Sequence, residues 1–448
     1  MVPCSSFKTQ VVLSDYFYQK DIKYRMLISK LSVIEVTIFS EILHHSLKIP
    51  LSLLAMDLDM EQEELRHHLT ALTHLDLFKI EKDSLTVDKE MRKYYELHME
   101  KFQTDFRPTL EFLQNLLSLI PLDVLLKWYT IPRTSNNIFA SIVQECFRTP
   151  KVYRHYLQEL KLEDPVAEAI VKDLYSSCDY LLLSKEMISK YSLSCEEFER
   201  ILLLLEYHFV CCVSYKIVDG EWQQVISPFA EWRKYLQTEK KLRPKVLPSS
   251  QISAVGQNEF SYIEELTTYL LTLQKKEETT NLPINYLNCP KKLESKLFQL
   301  QFIEKKSTGV FLTPKGLLWA KKKPWERAVS LAVDADNYLP EFKNSALWTL
   351  KTIHAVEKSL RSLKPFDWID LKEFISSLTI SIGESKSTTL QKQGKRWVYL
   401  LPKYSDLEVE LISKLIMERC YELGITAIGH YQGAPCFCLT SLGSQFIY

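Results

Sequence analysis

The chain has 448 residues and a hydrophobic fraction of 46%, enough for three or four domains of about 100 to 150 residues, each with its own core. Its 56 basic side chains balance its 56 acidic ones, so no net charge draws the whole molecule to nucleic acid or to an acidic membrane. Any nucleic-acid site must therefore be local.

The most apolar run of the sequence is ILLLLEYHFVCCV, which carries Glu206 and His208. It is shorter than the ~20 apolar residues that a membrane span needs. The start, MVPCSSFKTQ, lacks the basic flank and apolar stretch of a secretory signal. These features predict a soluble, intracellular protein located in the cytoplasm, with no membrane partner.

The common motifs of catalysis and cofactor binding are missing from the sequence. All ten glycines lie at or after Gly220, and neither G-x-x-x-x-G-K-[ST] nor G-x-G-x-x-G occurs, although phosphate sites of both kinds need glycine for close backbone approach. G-x-S-x-G and H-E-x-x-H are absent too, and the ten cysteines include no C-x-x-C pair. We therefore predict no enzyme activity, no cofactor and no metal site, with the cysteines acting as small core residues.

Helix and hairpin patterns recur four times along the chain. After an N-terminal segment (1–25), the first copy (26–96) places PLSLLAMD before Asp59-x-x-Gln62. This predicts a short helix, then a capping box that opens a longer helix. The run LFKIEKDSLTV then predicts a two-stranded hairpin. A helical connector (97–160) follows.

The second copy (161–238) has the clearest signals for where its helices and strands begin and end. A short helical run precedes Ser194-x-x-Glu197, a capping box that opens the helix CEEFERILLLLEY. An apolar, β-branched run, HFVCCVSYKIV, and a return run, EWQQVIS, then flank Asp219-Gly220, which predicts a tight hairpin. Helix, turn, helix and a two-stranded wing is the order of a winged helix.

The third copy (258–326) follows a linker (239–257) that contains proline and serine. Its helices are predicted in LPINYLNCP and KKLESKLFQLQ, and its wing FIEKKSTGVFL turns at Gly309. A second helical connector (327–365) separates it from the fourth copy.

The fourth copy (366–448) opens its long helix with the capping box Ser405-x-x-Glu408. Gly424 is expected to stop that helix, and the wing that follows turns near Gln432-Gly433. The four copies together predict a mainly α fold with small β-wings (α+β), built as tandem winged-helix repeats joined by helical segments.

One phrase ends these copies, Leu-Thr-x-x-Gly followed by an aromatic residue, at Leu312 to Trp319 and at Leu439 to Phe446. Weaker versions begin at Leu85-Thr86 and Ile226-Ser227. We expect the threonine to cap the closing helix, Pro314 to occupy a first-turn position, and the glycine to allow close packing. The alternative is that these are ordinary capping phrases, shared by chance.

Two stretches, TPKVYRHYLQELKLEDPVAEAIVKDLY and LGITAIGHYQGAPCFCLTSLGSQFI, carry a family resemblance. The chain resembles the helicase-associated winged-helix region that lies N-terminal to the motor of XPB-type helicases. It lacks the Walker A string and the Asp-Glu-x-His box of that motor. The resemblance therefore implies an accessory function in DNA or transcription processes, without helicase activity.

Charge separates the third copy from the others. The equivalent helix in the first, second and fourth copies opens with several acidic residues, which suit the helix dipole but repel phosphate. From 290 to 327 the third copy carries ten basic residues against three acidic ones. These candidate nucleic-acid contacts are Lys291, Lys292, Lys296, Lys305, Lys306, Lys315, Lys321, Lys322, Lys323 and Arg327.

Three functions remain open at this point. The basic copy is either a DNA contact or a solvated basic face of a neutral protein. The leading hypothesis is a tandem winged-helix protein that binds DNA through the third copy and a protein partner through the others. The alternatives are an interaction scaffold without nucleic-acid binding and an enzyme of an unrecognised family.

Overall fold

The computed structural model describes residues 9–130, 137–275, 290–306, 309–333, 347 and 349–447. The chain is mainly helical with small antiparallel sheets, which confirms the predicted α+β class with small hairpins. It divides into two compact units. Unit 1 contains the chain as far as Thr238 together with Thr389–Tyr399, and unit 2 contains Glu239–Thr388 and the chain from Leu400 onward.

The first copy lies in unit 1 and has a three-stranded antiparallel sheet. Its elements are α1 (Tyr18–Ile28), α2 (Val33–His44), β1 (Lys48–Pro50), α3 (Leu51–Asp57), α4 (Gln62–Leu72), β2 (Phe78–Glu81), β3 (Ser84–Val87) and α5 (Lys89–Met99). Ser32 and Glu35 form a capping box that fixes the start of α2. The strand order is β1-β3-β2, so the strand between the helices pairs with the second strand of the hairpin.

Two caps predicted in the first copy are wrong. Asp59 has a φ of 50°, in the left-handed region after α3, and α4 begins after Glu61 without a side-chain cap. The closing helix α5 is capped by the Asp88 carboxylate, which accepts the backbone N–H groups of the helix's first turn. Thr86 lies inside β3 instead. The closing phrase of this copy is therefore shifted by two residues.

The connector and the second copy, as far as Thr238, also belong to unit 1. The helices of the connector are α6 (Leu110–Leu117), α7 (Leu122–Trp128), α8 (Ile138–Ile142) and α9 (Pro150–Glu159). The second copy contains α10 (Pro165–Ser176), β4 (Leu182–Leu183), α11 (Ser184–Tyr191), α12 (Cys195–Tyr207), β5 (Cys212–Val218), β6 (Glu221–Ser227) and α13 (Ala230–Leu242). The predicted capping box of Ser194 and Glu197 is confirmed. The predicted hairpin at Asp219-Gly220 is also confirmed, since both residues have positive φ.

The remaining segment carries the third and fourth copies. It begins with β7 (Val246–Leu247), β8 (Ile252–Ala254), α14 (Ser261–Lys275), α15 (Pro290–Gln299), β9 (Ile303–Lys306), β10 (Gly309–Leu312), α16 (Pro314–Ala320) and α17 (Pro324–Val333). It continues with α18 (Leu350–Ser359), β11 (Trp368–Asp370), α19 (Leu371–Ser377), β12 (Thr389–Gln393), β13 (Arg396–Leu400), α20 (Asp406–Lys414), β14 (Thr426–Tyr431), β15 (Ala434–Leu439) and α21 (Ser441–Ile447). The helix predicted in LPINYLNCP (282–290) lies outside the described residues, except for Pro290, which begins α15.

The predicted linker (239–257) is not a loose tether. Strand β7 pairs with β11, and β8 pairs with β14, so both become edge strands of a five-stranded sheet in order β7-β11-β15-β14-β8. Pro248, Ser249 and Ser250, which suggested a linker, occupy the connection between these strands. Cross-strand hydrogen bonds fix the backbone of the two strands on either side of this exposed connection.

Three copies share one arrangement of elements. In each, a strand precedes two helices and pairs with the far strand of the hairpin, as in β1-β3-β2, β4-β6-β5 and β11-β15-β14. In all four copies the residue that ends the helix before the hairpin has a positive φ. These residues are Asp76, Phe209, Gln301 and Gly424. Only the last is a glycine, so only this turn could be predicted.

None of the helices in the described ranges combines the length and apolar character that crossing a membrane requires.

Candidate nucleic-acid interface

The third copy ends in a tightly built corner. Thr313 caps α16 by accepting the N–H of Gly316 at 3.1 Å, and its hydroxyl donates to the carbonyl of Gln301 at 2.7 Å. A Cβ on Gly316 would lie 2.4 Å from the carbonyl oxygen of Phe302, so only glycine fits. Pro314 occupies the first helical position as predicted. This corner fixes the start of α16 against the base of the hairpin.

The fourth copy repeats the same corner with equivalent residues. Thr440 accepts the N–H of Gly443 at 2.8 Å, and its hydroxyl donates to the carbonyl of Gly424 at 2.5 Å. A Cβ on Gly443 would lie 2.1 Å from the carbonyl oxygen of Ile425. The expected roles of threonine and glycine are therefore confirmed at both positions, and the two phrases are structural equivalents.

The ten predicted contacts of the third copy fall into three groups. Lys291 and Lys292 lie in the first turn of α15, and their side chains are outside the described part of the structure. Lys296, on the same helix, is largely buried and forms an ion pair with the buried Glu422. Its charge is therefore engaged inside unit 2.

Arg327 is also engaged internally. Its guanidinium donates to the hydroxyl of Thr267 at 2.8 Å and to the carbonyl of Ala320 at 2.7 Å, and it lies 5.9 Å from the ring centre of Trp319. Burial lowers the pKa of this guanidinium relative to its ordinary value. Both Lys296 and Arg327 thus contribute to packing in unit 2, which leaves fewer residues for a ligand.

The other six lysines are exposed. Lys306 pairs with Glu304 at 2.6 Å and lies 5.6 Å from the ring centre of Phe311. Lys315 lies 5.6 Å from the ring centre of Phe302. Within the described ranges, the remaining four form no ion pair with an acidic side chain. These four are Lys305 on the hairpin and Lys321, Lys322 and Lys323 at the end of α16.

The acidic helix openings of the other copies are partly confirmed as surface features. Glu63, Glu64, Glu196 and Asp406 are exposed in the first turns of α4, α12 and α20. Glu199, another acidic residue near the start of α12, is instead buried, with 3% of its side chain exposed. It therefore contributes nothing to repulsion at the surface.

Glu199 belongs to a buried charge cluster in unit 1 that sequence reasoning missed. Arg25 on α1 donates from Nε to Glu199 at 2.8 Å and from Nη1 to Glu206 at 2.6 Å. Lys101 lies 3.3 Å from the other oxygen of Glu206, which also accepts the N–H of Val213. The only signal in the sequence was the presence of Glu206 in an otherwise apolar run.

The charges in this cluster stabilise one another. Burial alone would raise the pKa of Glu206, but the charges of Arg25 and Lys101 and the hydrogen bonds from Arg25 and Val213 hold that pKa well below its usual range. Burial, with Lys101 and Arg25 nearby, holds the pKa of His98 well below its ordinary value, so this imidazole stays neutral. The cluster joins α1 to α12, the long helix of the second copy.

Glu41, His45 and Asp57 form a group whose ligand atoms lie close enough together to hold a metal ion, all within 4.8 Å of one another. His45 Nε2 is 3.3 Å from Glu41 and 3.0 Å from Asp57. The group joins the ends of α2 and α3 and is partly exposed. Because Asp57 lies at the end of α3, away from Glu41 on α2 and His45 just after it, sequence spacing gave no indication of the group.

Six of the described cysteines are buried free thiols, in line with the expected packing role. Burial raises the pKa of each, for example to about 11 for Cys436, so they are poorly ionised at neutral pH. The other five are Cys146, Cys211, Cys212, Cys420 and Cys438.

No family model matches the chain, and no curated protein matches it in sequence. The resemblance to the winged-helix region of XPB-type helicases therefore stays a prediction.

Proposed function

We propose that this chain is a tandem winged-helix protein that acts without catalysis as an accessory factor in DNA or transcription processes. In this proposal the third copy contacts DNA and the other copies contact a protein partner. The shared strand order of three copies and the shared corner at Thr313 and Thr440 support the repeat. The sequence resemblance supports the assignment to such processes.

The observation that carries the DNA contact is the set of exposed lysines of the third copy. Lys305 lies on the hairpin, and Lys321, Lys322 and Lys323 follow the closing helix, whose start is fixed against the hairpin base by Gly316. Lysines on a hairpin and after a helix can contact several phosphates along the DNA backbone rather than a single one. Each phosphate contact releases counterions, so binding would weaken as salt rises.

The protein contacts are assigned to the other copies because their exposed acidic openings repel phosphate. Unit 1 also has a groove of about 510 Å³ beside α1, with Ile22, Met26 and Leu27 in its lining. An apolar floor rimmed by charged residues is typical of surfaces that bind proteins. If DNA binding is absent, this feature favours the scaffold function.

The test is fluorescence anisotropy of a labelled mixed-sequence DNA duplex with the full chain. We expect binding at 0.1 M salt and a drop of at least tenfold in affinity when four lysines of the third copy are changed to glutamate. The four are Lys305, Lys321, Lys322 and Lys323.

The matched control reverses four exposed lysines on the hairpin and closing helix of the first copy. These are Lys79, Lys82, Lys89 and Lys93. We expect this control to bind like the wild type, because the acidic residues around it already oppose a phosphate contact. A wild-type chain that does not bind duplex DNA would contradict the proposal and support the scaffold.

A further inference from the structure

A second basic element lies outside the third copy, in the hairpin formed by β12 and β13. Residues 385–404 contain five basic side chains and no aspartate or glutamate. The hairpin is inserted between α19 and α20, where the first and second copies pass almost directly from one helix to the next. Insertions of this kind into a shared order of elements are common sites of function. No sequence motif marks this stretch.

The tip of this hairpin is exposed and positively charged. Gly394 and Lys395 form a two-residue turn, with Gly394 at a φ of 62° and open space around its Cα. Lys392, Lys395 and Arg396 are exposed, and within the described residues none of them forms an ion pair. The Lys392 ammonium lies 5.9 Å from the ring centre of Trp397. Three cations therefore surround the turn without an internal acidic partner among the described residues.

The base of the hairpin is held firmly in unit 1. The N–H of Leu390 donates to the carbonyl of Arg148 at 2.9 Å, and the hydroxyl of Tyr399 donates to the carbonyl of Phe147 at 2.9 Å. The Tyr399 ring also packs 5.4 Å from the ring centre of Tyr235. A fixed base with an exposed tip presents its charges in one arrangement, which lowers the entropic cost of binding a ligand.

We propose that the hairpin of residues 389–400 is a DNA-binding β-ribbon that places Lys392, Lys395 and Arg396 against the phosphates of a duplex. The major groove of B-DNA admits a two-stranded ribbon, whereas the major groove of A-form RNA is too narrow for side chains to enter. The turn itself is polar, so it offers no apolar group for insertion into a lipid bilayer. Duplex DNA is therefore the partner that fits this surface.

This inference rests on the proposed DNA-binding function but adds a contact that can be tested separately, since it uses residues of unit 1. The variant is Lys392→Glu/Lys395→Glu/Arg396→Glu in the full chain. A neutral variant, Lys392→Gln/Lys395→Gln/Arg396→Gln, serves as a second test in case charge reversal disturbs folding. Lys79→Glu/Lys82→Glu/Lys89→Glu is the matched control on the hairpin and closing helix of the first copy.

We expect the charge-reversed hairpin to bind a mixed-sequence DNA duplex of about 20 base pairs at least tenfold more weakly than the wild type at 0.1 M salt. The slope of log K against log salt is negative, and it should become less negative by about 0.9 for each phosphate that the hairpin no longer neutralises. The neutral variant should also bind the DNA duplex more weakly than the wild type, by a smaller factor, and the control should bind like the wild type. Wild-type affinity for a duplex RNA of the same sequence should be lower than for DNA.

Several outcomes would overturn the hairpin proposal. Unchanged DNA affinity in both hairpin variants would do so, as would binding to anionic lipid vesicles that disappears in the variants while DNA affinity is kept. The result separates the two DNA-binding surfaces. If the third-copy variant binds normally and the hairpin variants do not, the hairpin stands and the surface proposed for the third copy is wrong. The reverse pattern rejects the hairpin alone, and a wild-type chain that does not bind duplex DNA rejects both.

Discussion

The α-carbon of Gly443 lies directly against the carbonyl of Ile425, so closely that an added Cβ would be 2.1 Å from the oxygen. Gly316 stands in the same relation to the carbonyl of Phe302, at 2.4 Å. In both copies the contact brings the first turn of the closing helix against the residue that enters the hairpin. The glycine is required by close approach rather than by an unusual φ.

Gly443→Ala should therefore destabilise unit 2. Backbone atoms cannot move away as a flexible side chain would, so we expect a decrease of about 2 to 3 kcal/mol in the free energy of unfolding. Urea denaturation of the full chain would measure it. Gln445→Ala, two residues along the same helix and exposed, is the control and should change stability by less than about 0.5 kcal/mol. Equal stability of the two variants would refute the close approach as the reason for glycine.

The corrected cap of the first copy gives a second prediction. Asp88→Ala removes the carboxylate that accepts two N–H groups at the start of α5, and we expect a decrease of about 1 kcal/mol in stability. Thr86→Ala, in the strand, should cost only a few tenths of a kcal/mol. Thermal unfolding of the two variants checks the order. A larger effect at Thr86 would mean that Thr86, rather than Asp88, caps α5.

Local patterns predicted the local structure well and the long-range structure poorly. The caps at Ser194 and Ser405 and the turn at Asp219-Gly220 were predictable because each depends on residues within a few positions. Asp59 was misassigned because an aspartate also tolerates the left-handed conformation that it adopts after α3. The sequence pattern therefore does not distinguish an aspartate that caps the next helix from one that ends the preceding helix.

The pairing of distant strands and the burial of charged side chains could not be predicted from the sequence. Residues 246–254 became edge strands because β11 and β14, far away in the chain, offered unpaired backbone groups. Arg25 and Glu206 are also distant in sequence, so their ion pair had no local signal. Likewise, the basic count of the third copy did not reveal that Lys296 and Arg327 are engaged internally.

The buried cluster predicts a large effect at Arg25. Arg25→Met leaves the carboxylates of Glu199 and Glu206 without their main cation, and we expect a decrease of about 3 to 5 kcal/mol in the stability of unit 1. Adding Glu199→Gln removes one uncompensated charge while Lys101 still pairs with Glu206, so part of the stability should be recovered.

Lys23→Met is the control for this prediction, because Lys23 lies on the same helix in an exposed pair with Asp76. Exposed pairs of this kind contribute about 0 to 1 kcal/mol. Chemical denaturation of the three variants measures the difference. An Arg25→Met variant as stable as the control would show that the cluster does not hold α1 to α12.

Glu231 predicts a dependence of stability on pH. Burial raises the pKa of this carboxyl from 4.5 to about 7, although one oxygen accepts the N–H of Leu110. Between these two values the native state holds a proton that the unfolded state has released, so Glu231 lowers the stability of unit 1 as pH rises. The penalty is complete above about pH 7 and disappears below about pH 4.5.

Glu231→Gln should therefore be more stable than the wild type at pH 8, with the difference shrinking by roughly 1.4 kcal/mol per pH unit between about 7 and 4.5. Urea denaturation at four pH values gives this profile. Glu168→Gln, at an exposed position on α10, is the control for the exchange itself and should change stability by less than about 0.5 kcal/mol at pH 8. A constant difference between Glu231→Gln and the wild type across the range would contradict the raised pKa.

The most direct test of the DNA-binding surface in the third copy is the salt dependence of binding. Log K for a mixed-sequence duplex would be measured from about 50 to 300 mM salt for the wild type, the third-copy variant at Lys305 and 321–323, and the four-lysine control of the first copy. For the wild type we predict that log K falls linearly with log salt. In the third-copy variant the slope should be less negative by about 0.9 for each phosphate left unneutralised, and the control should keep the wild-type slope. Equal slopes in all three proteins would contradict the claim that the third copy binds phosphate.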